Sequence, residues 1–306
     1  MIGADPHSTL HSPRSQAAAV TRIAVGFDGY PGGEDAVVLA AGLADVTGAE
    51  LLLVAVHPDF MIVLPEGADR QSLRRDAERT LREVRRSLAP DARILAETDF
   101  SVPRALLRVA AREHRDLLVV GSSRSAREGH VRIGRRAGQL LSQVGCPLAV
   151  APRGMRDRTA VLRTVGVGYD GSPEAEAALA FGQALALSAG AELHVRAIVD
   201  DRVPTVLRSS LAGLVKVHWS DATMAEHELL ERGLTAALDG VARVSSEVAS
   251  GNPVARLLEF SRGLDLLVIG SRRWGTAARV LLGSTGAAIL HDAACPVLAV
   301  PRPAVS

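Results

Sequence analysis

Residues 22–28 read RIAVGFD and residues 164–170 read TVGVGYD, two short apolar runs that end in an acid and stand 142 positions apart. Ala49-Glu50-Leu51 returns at the same offset as Ala191-Glu192-Leu193. Farther along, DLLVVGS starts at Asp116 and DLLVIGS at Asp265, and Cys146-Pro147 matches Cys295-Pro296, both pairs 149 apart. Four motifs in one order at nearly one spacing mark an internal duplication. The growth in offset places a net insertion in the second copy between about residues 200 and 252.

Each copy alternates short apolar runs with longer amphipathic stretches, the pattern of βα units on a parallel sheet. The runs predict strands at 22–28, 49–56, 92–98, 116–121 and 147–151, then at 164–170, 191–199, 242–249, 265–270 and 296–300. Residues 69–89 and 221–240 have helical periodicity, with Leu73, Ala77, Leu81, Val84 and Leu88 on one face of the former. Right-handed crossovers then give α/β layers, two similar Rossmann-like domains with helices on both faces of each sheet. The division expected is a flexible tail at 1–20, domains at 21–152 and 164–306, and a linker at 153–163.

Composition narrows the function. Hydrophobic residues are 47% and charged residues 23%, a globular balance, and with aromatics at 3% the cores are built from Ala, Val and Leu. A net charge of +1 lacks the basic field of a general nucleic-acid binder. Two cysteines in matching contexts give no disulfide framework and fit a reducing, cytoplasmic setting. The first 20 residues, with Asp5, Pro6 and His7, lack the apolar core of a signal peptide, and no run is long enough to span a bilayer.

In open parallel sheets ligands bind beyond the carboxyl ends of the strands, where strand order reverses. Asp28 and Asp170 end the first strands; Gly121 and Gly270 end the fourth; Gly134 and Gly283 follow thirteen residues later, before the next helix. A strand-end glycine admits close backbone approach by a ligand, and a helix start offers unpaired N–H groups to an anion. Ser284 and Thr285 add hydroxyl donors.

On these residues the chain resembles the universal stress protein family. GSRRWGTAARVLLGST (270–285) is similar to the family signature of glycine, two residues, glycine, nine residues, glycine and Ser or Thr, and YDGSPEAEAAL (169–179) resembles the end of its first strand. The likeness covers 22–152 and 164–302, as a tandem member of actinobacterial type. It implies strand order 3-2-1-4-5 in each five-stranded parallel sheet, with ATP or a related adenine nucleotide, with or without Mg2+, across strands one and four. It implies that Asp170 and Ile198 frame the adenosine and that Gly270, Gly283, Ser284 and Thr285 hold the phosphates, with Arg272 beside them. The matching first-copy positions are Asp28, Val56, Gly121, Gly134, Arg135 and Arg136. Both copies depart from the signature: Arg124 and Arg273 replace the middle glycine, although Gly275 lies two residues on, and Arg135 replaces the first-copy Ser. Such an arginine either neutralises phosphate or fills the groove.

Competing motifs are weaker. GVGYDG (166–171) has dinucleotide spacing, yet Gly166 and Gly168 fall inside the strand and Ala24 takes the opening place in the first copy. GSRRWGT lacks the Lys of a phosphate-binding loop, and HELLE (227–231) has Glu231 where a second zinc-binding His belongs. The cysteines read as small buried hydrophobes, Trp274 as loop packing or a lid, and the arginines of 122–136 as a solvated face or an anion-gathering rim. Adenylyl transfer would need SGGxDS or HIGH-type residues, where the chain has DGYPGGED and DGSPEAEA.

The function expected is therefore a stress-associated nucleotide-binding regulator acting through an unidentified protein partner, without membrane or specific nucleic-acid binding. No nucleophile–base pair or acidic metal cluster marks an enzyme beyond slow ATP hydrolysis. The alternative is an interaction module with decayed sites. The fifth strands, CPLAVAP and CPVLAVP, are apolar edges expected to pair with each other inside the chain, with a homodimer left open.

Overall fold

Strands covered by helices on both faces read as near-continuous apolar runs, and strands at an edge do not. The computed structural model, which describes residues 20–57, 70–158, 160–201, 214–274, 279–281 and 283–301, follows that rule closely. In the first repeat β1 (Arg22–Phe27), α1 (Pro31–Thr47), β2 (Glu50–His57), α2 (Arg70–Leu88), β3 (Arg93–Thr98), α3 (Val102–Arg112), β4 (Leu117–Gly121), α4 (Arg135–Leu141) and β5 (Leu148–Ala151) alternate. The second repeat runs β6 (Thr164–Tyr169), α5 (Pro173–Ala189), β7 (Glu192–Val199), α6 (Leu214–Ala237), β8 (Val244–Ser250), α7 (Pro253–Ser261), β9 (Leu266–Trp274), β10 (Arg279–Leu281), α8 (Ser284–Asp292) and β11 (Val297–Pro301). The expected tail and Gly275 lie outside the described residues, apart from Val20.

Each repeat pairs its strands in the order 3-2-1-4-5. β5 and β11 then lie side by side antiparallel, with Val150 opposite Val297 and Leu148 opposite Ala299, so the two sheets form one. β5 and β11 are buried throughout. α1, α2, α5 and α6 cover one face and α3, α4, α7 and α8 the other, and each apolar core contains residues of both repeats. α1 and α5 have the same design: Pro at N1, and a C-terminal glycine (Gly48, Gly190) whose positive φ, 70° and 61°, closes the helix. The acid of each DLLV motif ties strand four to strand one: Asp116 accepts from the Thr21 and Arg22 amides, and Asp265 from the Arg163 and Thr164 amides.

Sequence boundaries shift most in two places. The fourth strand of the second repeat continues four residues past Gly270 to Trp274 and returns antiparallel through β10, where a loop was expected. α6 starts earlier, at Leu214.

Buried Asp35, in α1, fixes the connection between the repeats. Its carboxylate accepts from the Gly154 amide at 3.0 Å and the Arg156 amide at 2.8 Å, at the start of the linker. At the far edge β3 carries charges that blunt pairing with other chains. Asp99, just beyond it and 5% exposed, accepts from Arg104 Nη2 at 2.6 Å, the Ser101 amide at 2.9 Å and Arg108 Nη1 at 2.7 Å. These bonds, Arg104's foremost, outweigh burial and hold the carboxyl well below the usual carboxylate range.

Two outcomes follow from these acids. Asp35→Ala leaves two amides without their acceptor and is expected to cost about 2–6 kcal/mol, from about 1–3 kcal/mol per orphaned buried group; Asp35→Asn keeps an acceptor oxygen and costs less. Equal urea stability of parent and Ala variant would remove Asp35 from this role. Because the folded pKa of Asp99 lies below the unfolded one, its stabilisation is present above about pH 4 and lost as pH falls further. Asp99→Asn should flatten that acid limb in urea midpoints recorded against pH.

Candidate functional site

The carboxyl ends of β6 and β9 part where the strand order reverses, and a cleft of about 260 Å³ opens there, at the small end of ligand pockets. Asp170, Ile198, Gly270, Gly283, Ser284 and Thr285 all line it. The floor is apolar, from Ile198, Leu257, Ile269 and Ile289. The polar groups converge from two helix starts.

At the first start, Ser172 caps α5 by accepting from the Ala175 amide at 3.2 Å, and it donates its own hydroxyl to Asp170 Oδ1 at 2.5 Å. The Ser172 amide reaches the same oxygen at 3.0 Å. One carboxylate oxygen is thus held by the turn, which fixes the orientation of the other. At the second start, Gly283 precedes α8 with no side-chain cap, and the Ser284, Thr285 and Gly286 amides come before the first intrahelical donor, Ala287 to Gly283 O. A Cβ on Gly283 would meet nothing within 4 Å, so this turn is open. Backbone donors, two hydroxyls and a helix N-terminus together form a seat for an anion.

The strand-end glycines also have a packing duty within the protein. A Cβ on Gly270 would lie 2.5 Å from Glu174 O, and one on Gly121 would strike Gly32 O. What approaches them closely is the first turn of α5 or α1, before any ligand. Ser122 and Ser271, next in sequence, bond Ala151 O and Val300 O of the adjoining fifth strands. The backbone of Arg272 sits in β9 opposite Leu281; its side chain, like those of Arg273 and Trp274, lies outside the described residues.

In the first repeat the matching positions are present but differently furnished. Asp28 is exposed and accepts only a 3.2 Å bond from the Tyr30 amide among the bonds described, without a hydroxyl partner. Tyr30 stands at the position of Ser172, and the Arg124 guanidinium lies over its ring at 3.8 Å from the centroid. Val56 is half-buried, Gly134 caps α4, and Arg135 and Arg136 are exposed in its first turn. The loop between Gly121 and Gly134 is folded on itself: the Ser123 amide donates to Arg132 O, and the Arg132 amide to Ser122 Oγ.

Ser172, Glu174 and Leu257 are cleft residues that the sequence reading misses, although the first two stand in the quoted DGSPEAEA stretch. A signal exists for Ser172, a hydroxyl two residues past an acid and just before Pro. Burial raises the Cys146 thiol to about 11 and the Cys295 thiol further, which agrees with a packing role for both. Among the described residues no group of three His, Cys, Asp or Glu could hold a metal, and no helix is long and apolar enough to cross a membrane.

The glycine packing has a direct test. Gly121→Ala and Gly270→Ala should each destabilise the ligand-free protein by about 1–3 kcal/mol or more, the range of overpacked cores, whereas Gly283→Ala should leave its melting unchanged. A Gly270→Ala protein as stable as the parent would return that glycine to the ligand.

The universal stress protein family profile matches residues 19–152 and again 162–301. A universal stress protein of Mycobacterium bovis is 30% identical over 214 residues, 66% of this chain and 69% of the relative. One from Mycolicibacterium smegmatis is 25% identical over 304 residues, covering 94% of this chain and 99% of its own. The crystal structure of a universal stress protein from Archaeoglobus fulgidus shares the fold at a TM-score of 0.66, with 17% identity over 93% of this chain and 99% of that one. Duplicated sequence, sheet order and these matches agree: the chain belongs to the universal stress protein family, as a tandem member of actinobacterial type.

Proposed function

We propose that the second repeat binds ATP or a related adenine nucleotide and that its occupancy regulates a protein partner during stress. The observation that carries this is the convergence of Asp170, Ile198 and the Gly283–Thr285 turn on one cleft. The free oxygen of Asp170 accepts from the base or sugar, Ile198 and Leu257 sandwich an apolar ring, and the start of α8 receives the phosphates. Mg2+ arrives with the nucleotide, since its hard oxygen ligands then come from phosphate and water. The role is that of a binding protein rather than a catalyst, in the cytoplasm, with the paired fifth strands as its internal frame and a homodimer as a further level of assembly.

The first repeat supports a second reading for itself alone, that of an interaction module. Tyr30 replaces the small Ser172, and Arg124 stacks on it rather than awaiting a phosphate. One nucleotide per chain is the consequence.

Calorimetry with ATP, ADP, AMP and cyclic AMP decides between these. One site per chain is expected. Asp170→Asn and Ser284→Ala should each weaken binding about fivefold or more, the effect of one lost hydrogen bond of about 1 kcal/mol, and Asp28→Asn should leave it unaltered. Two equivalent sites would overturn the closed first repeat; no heat at millimolar nucleotide would overturn the function itself.

A further inference from the structure

Helix α8 has different neighbours at its two ends. Gly283–Gly286, at its start, form one wall of the second-repeat cleft. Its far end abuts the first repeat. Val131 donates its backbone N–H to Ala293 O at 2.8 Å, and Ile133 donates to Leu290 O at 2.8 Å. Arg127 adds an ion pair to Asp292 at 3.3 Å. The last carbonyls of a helix find no donor within it, so the first repeat satisfies one for Leu290 and holds the chain just past α8 through Ala293.

The segment that makes these bonds is itself anchored. Val131 is fully buried, in the same apolar core as Ile289, Leu290 and Ala293. The Gly129 amide donates to Arg153 O and the Arg153 amide to His130 O, at the end of β5, and Arg153 Nη1 donates to Ala126 O at 3.1 Å. The residues that match in the second repeat, Arg279–Leu281, pair with β9 as a hairpin, the counterpart of the Ser123–Arg132 bond in this loop. The loop that would complete a cleft in the first repeat thus braces the helix that completes the cleft in the second.

We infer that residues 127–133 position α8, so that nucleotide in the second-repeat cleft and the contact between this loop and α8 strengthen one another. This rests on the nucleotide site proposed above. Nine residues of helix span only about 13 Å, and a hydrogen-bonded rod of that length moves as a unit. Anything that shifts the Leu290 end therefore shifts the Gly283 turn. Linkage makes the effect reciprocal: if the brace favours nucleotide, nucleotide favours the brace by the same factor.

The full chain tests this in two ways. With saturating ATP, amide exchange at Val131 and Ile133 should slow about fivefold or more, although neither residue lines the cleft. In calorimetry Ile133→Pro, which deletes a donor, should weaken ATP about five- to tenfold at unchanged stoichiometry, and Arg127→Glu, which turns a solvent-exposed ion pair into a repulsion, about two- to threefold. Arg127→Glu combined with Asp292→Arg should recover most of the loss, a rescue that general destabilisation does not produce. Ser125→Ala, in the same loop, should bind as the parent does. Should Ile133→Pro fail to fold, the charge-swapped pair decides. If the parent binds ATP but the two amides keep their exchange rates and Arg127→Glu keeps full affinity, the coupling is wrong and the nucleotide site stands. If the parent binds no ATP, both fall.

Discussion

Everything in this molecule depends on the antiparallel contact of β5 with β11. Both strands are short, and neither has a position exposed to solvent. Alone, each would be an apolar edge with a row of unpaired amides, a liability for any sheet. Laid against each other they satisfy those groups and join two five-stranded sheets into one. The join also merges the cores: Ala149 and Leu298 contribute to one, Val150 and Val297 to the other. Each repeat is thereby part of its neighbour's interior, and α8, beside the join, is bonded by the first repeat as well as its own.

The true edges are the opposite case. β3 and β8 take the outermost positions, and polar or charged residues interrupt their apolar pattern. Glu97 bonds Arg108 and Arg112, and Asp99 bonds Arg104 and Arg108, so the charge along β3 is matched by α3. The strands nearest the join are apolar runs, whereas polarity rises toward the rim, where β7 already carries His194 and Arg196, bonded to Ser245 and Glu247 of β8.

That pattern explains what the sequence discloses and what it hides. The duplication, the strands and α2 follow from apolar period and spacing, which are local properties of the chain. Asp170, Ile198 and Gly283–Thr285 could be named because their positions follow a recognisable signature. Asp35 is different. Nothing near it in sequence foretells that this acid, next to Glu34 in the first turn of α1, caps amides more than a hundred residues away. Gly121 and Gly270 are visible as necessary glycines, but their reason, the first turn of the helix that follows strand one, exists only once strands one and four are neighbours. The extension of β9 was hidden for a similar reason. Ser271 is buried and bonded to Val300, so β11 rather than local preference carries the strand past its glycine.

Duplication followed by fusion frees one copy from the other's constraint. While two identical halves associate, a substitution that closes one cleft closes both. In a single chain the closures separate. Ser172 remains small and holds Asp170, whereas the matching Tyr30 carries an arginine on its face. Around the first-repeat loop, Arg153, Asp35 and the linker turn at Gly154 fasten the chain. Gly154 suits this turn because its φ is +80° and the Glu128 carboxylate occupies the space of a side chain. A loop so fixed can bear on α8 without yielding, and rigidity at that point is useful only if the other end of α8 has a task. On the nucleotide site proposed above, the repeats divide the labour: the second keeps an open turn at Gly283, and the first holds the far end of the helix that begins there.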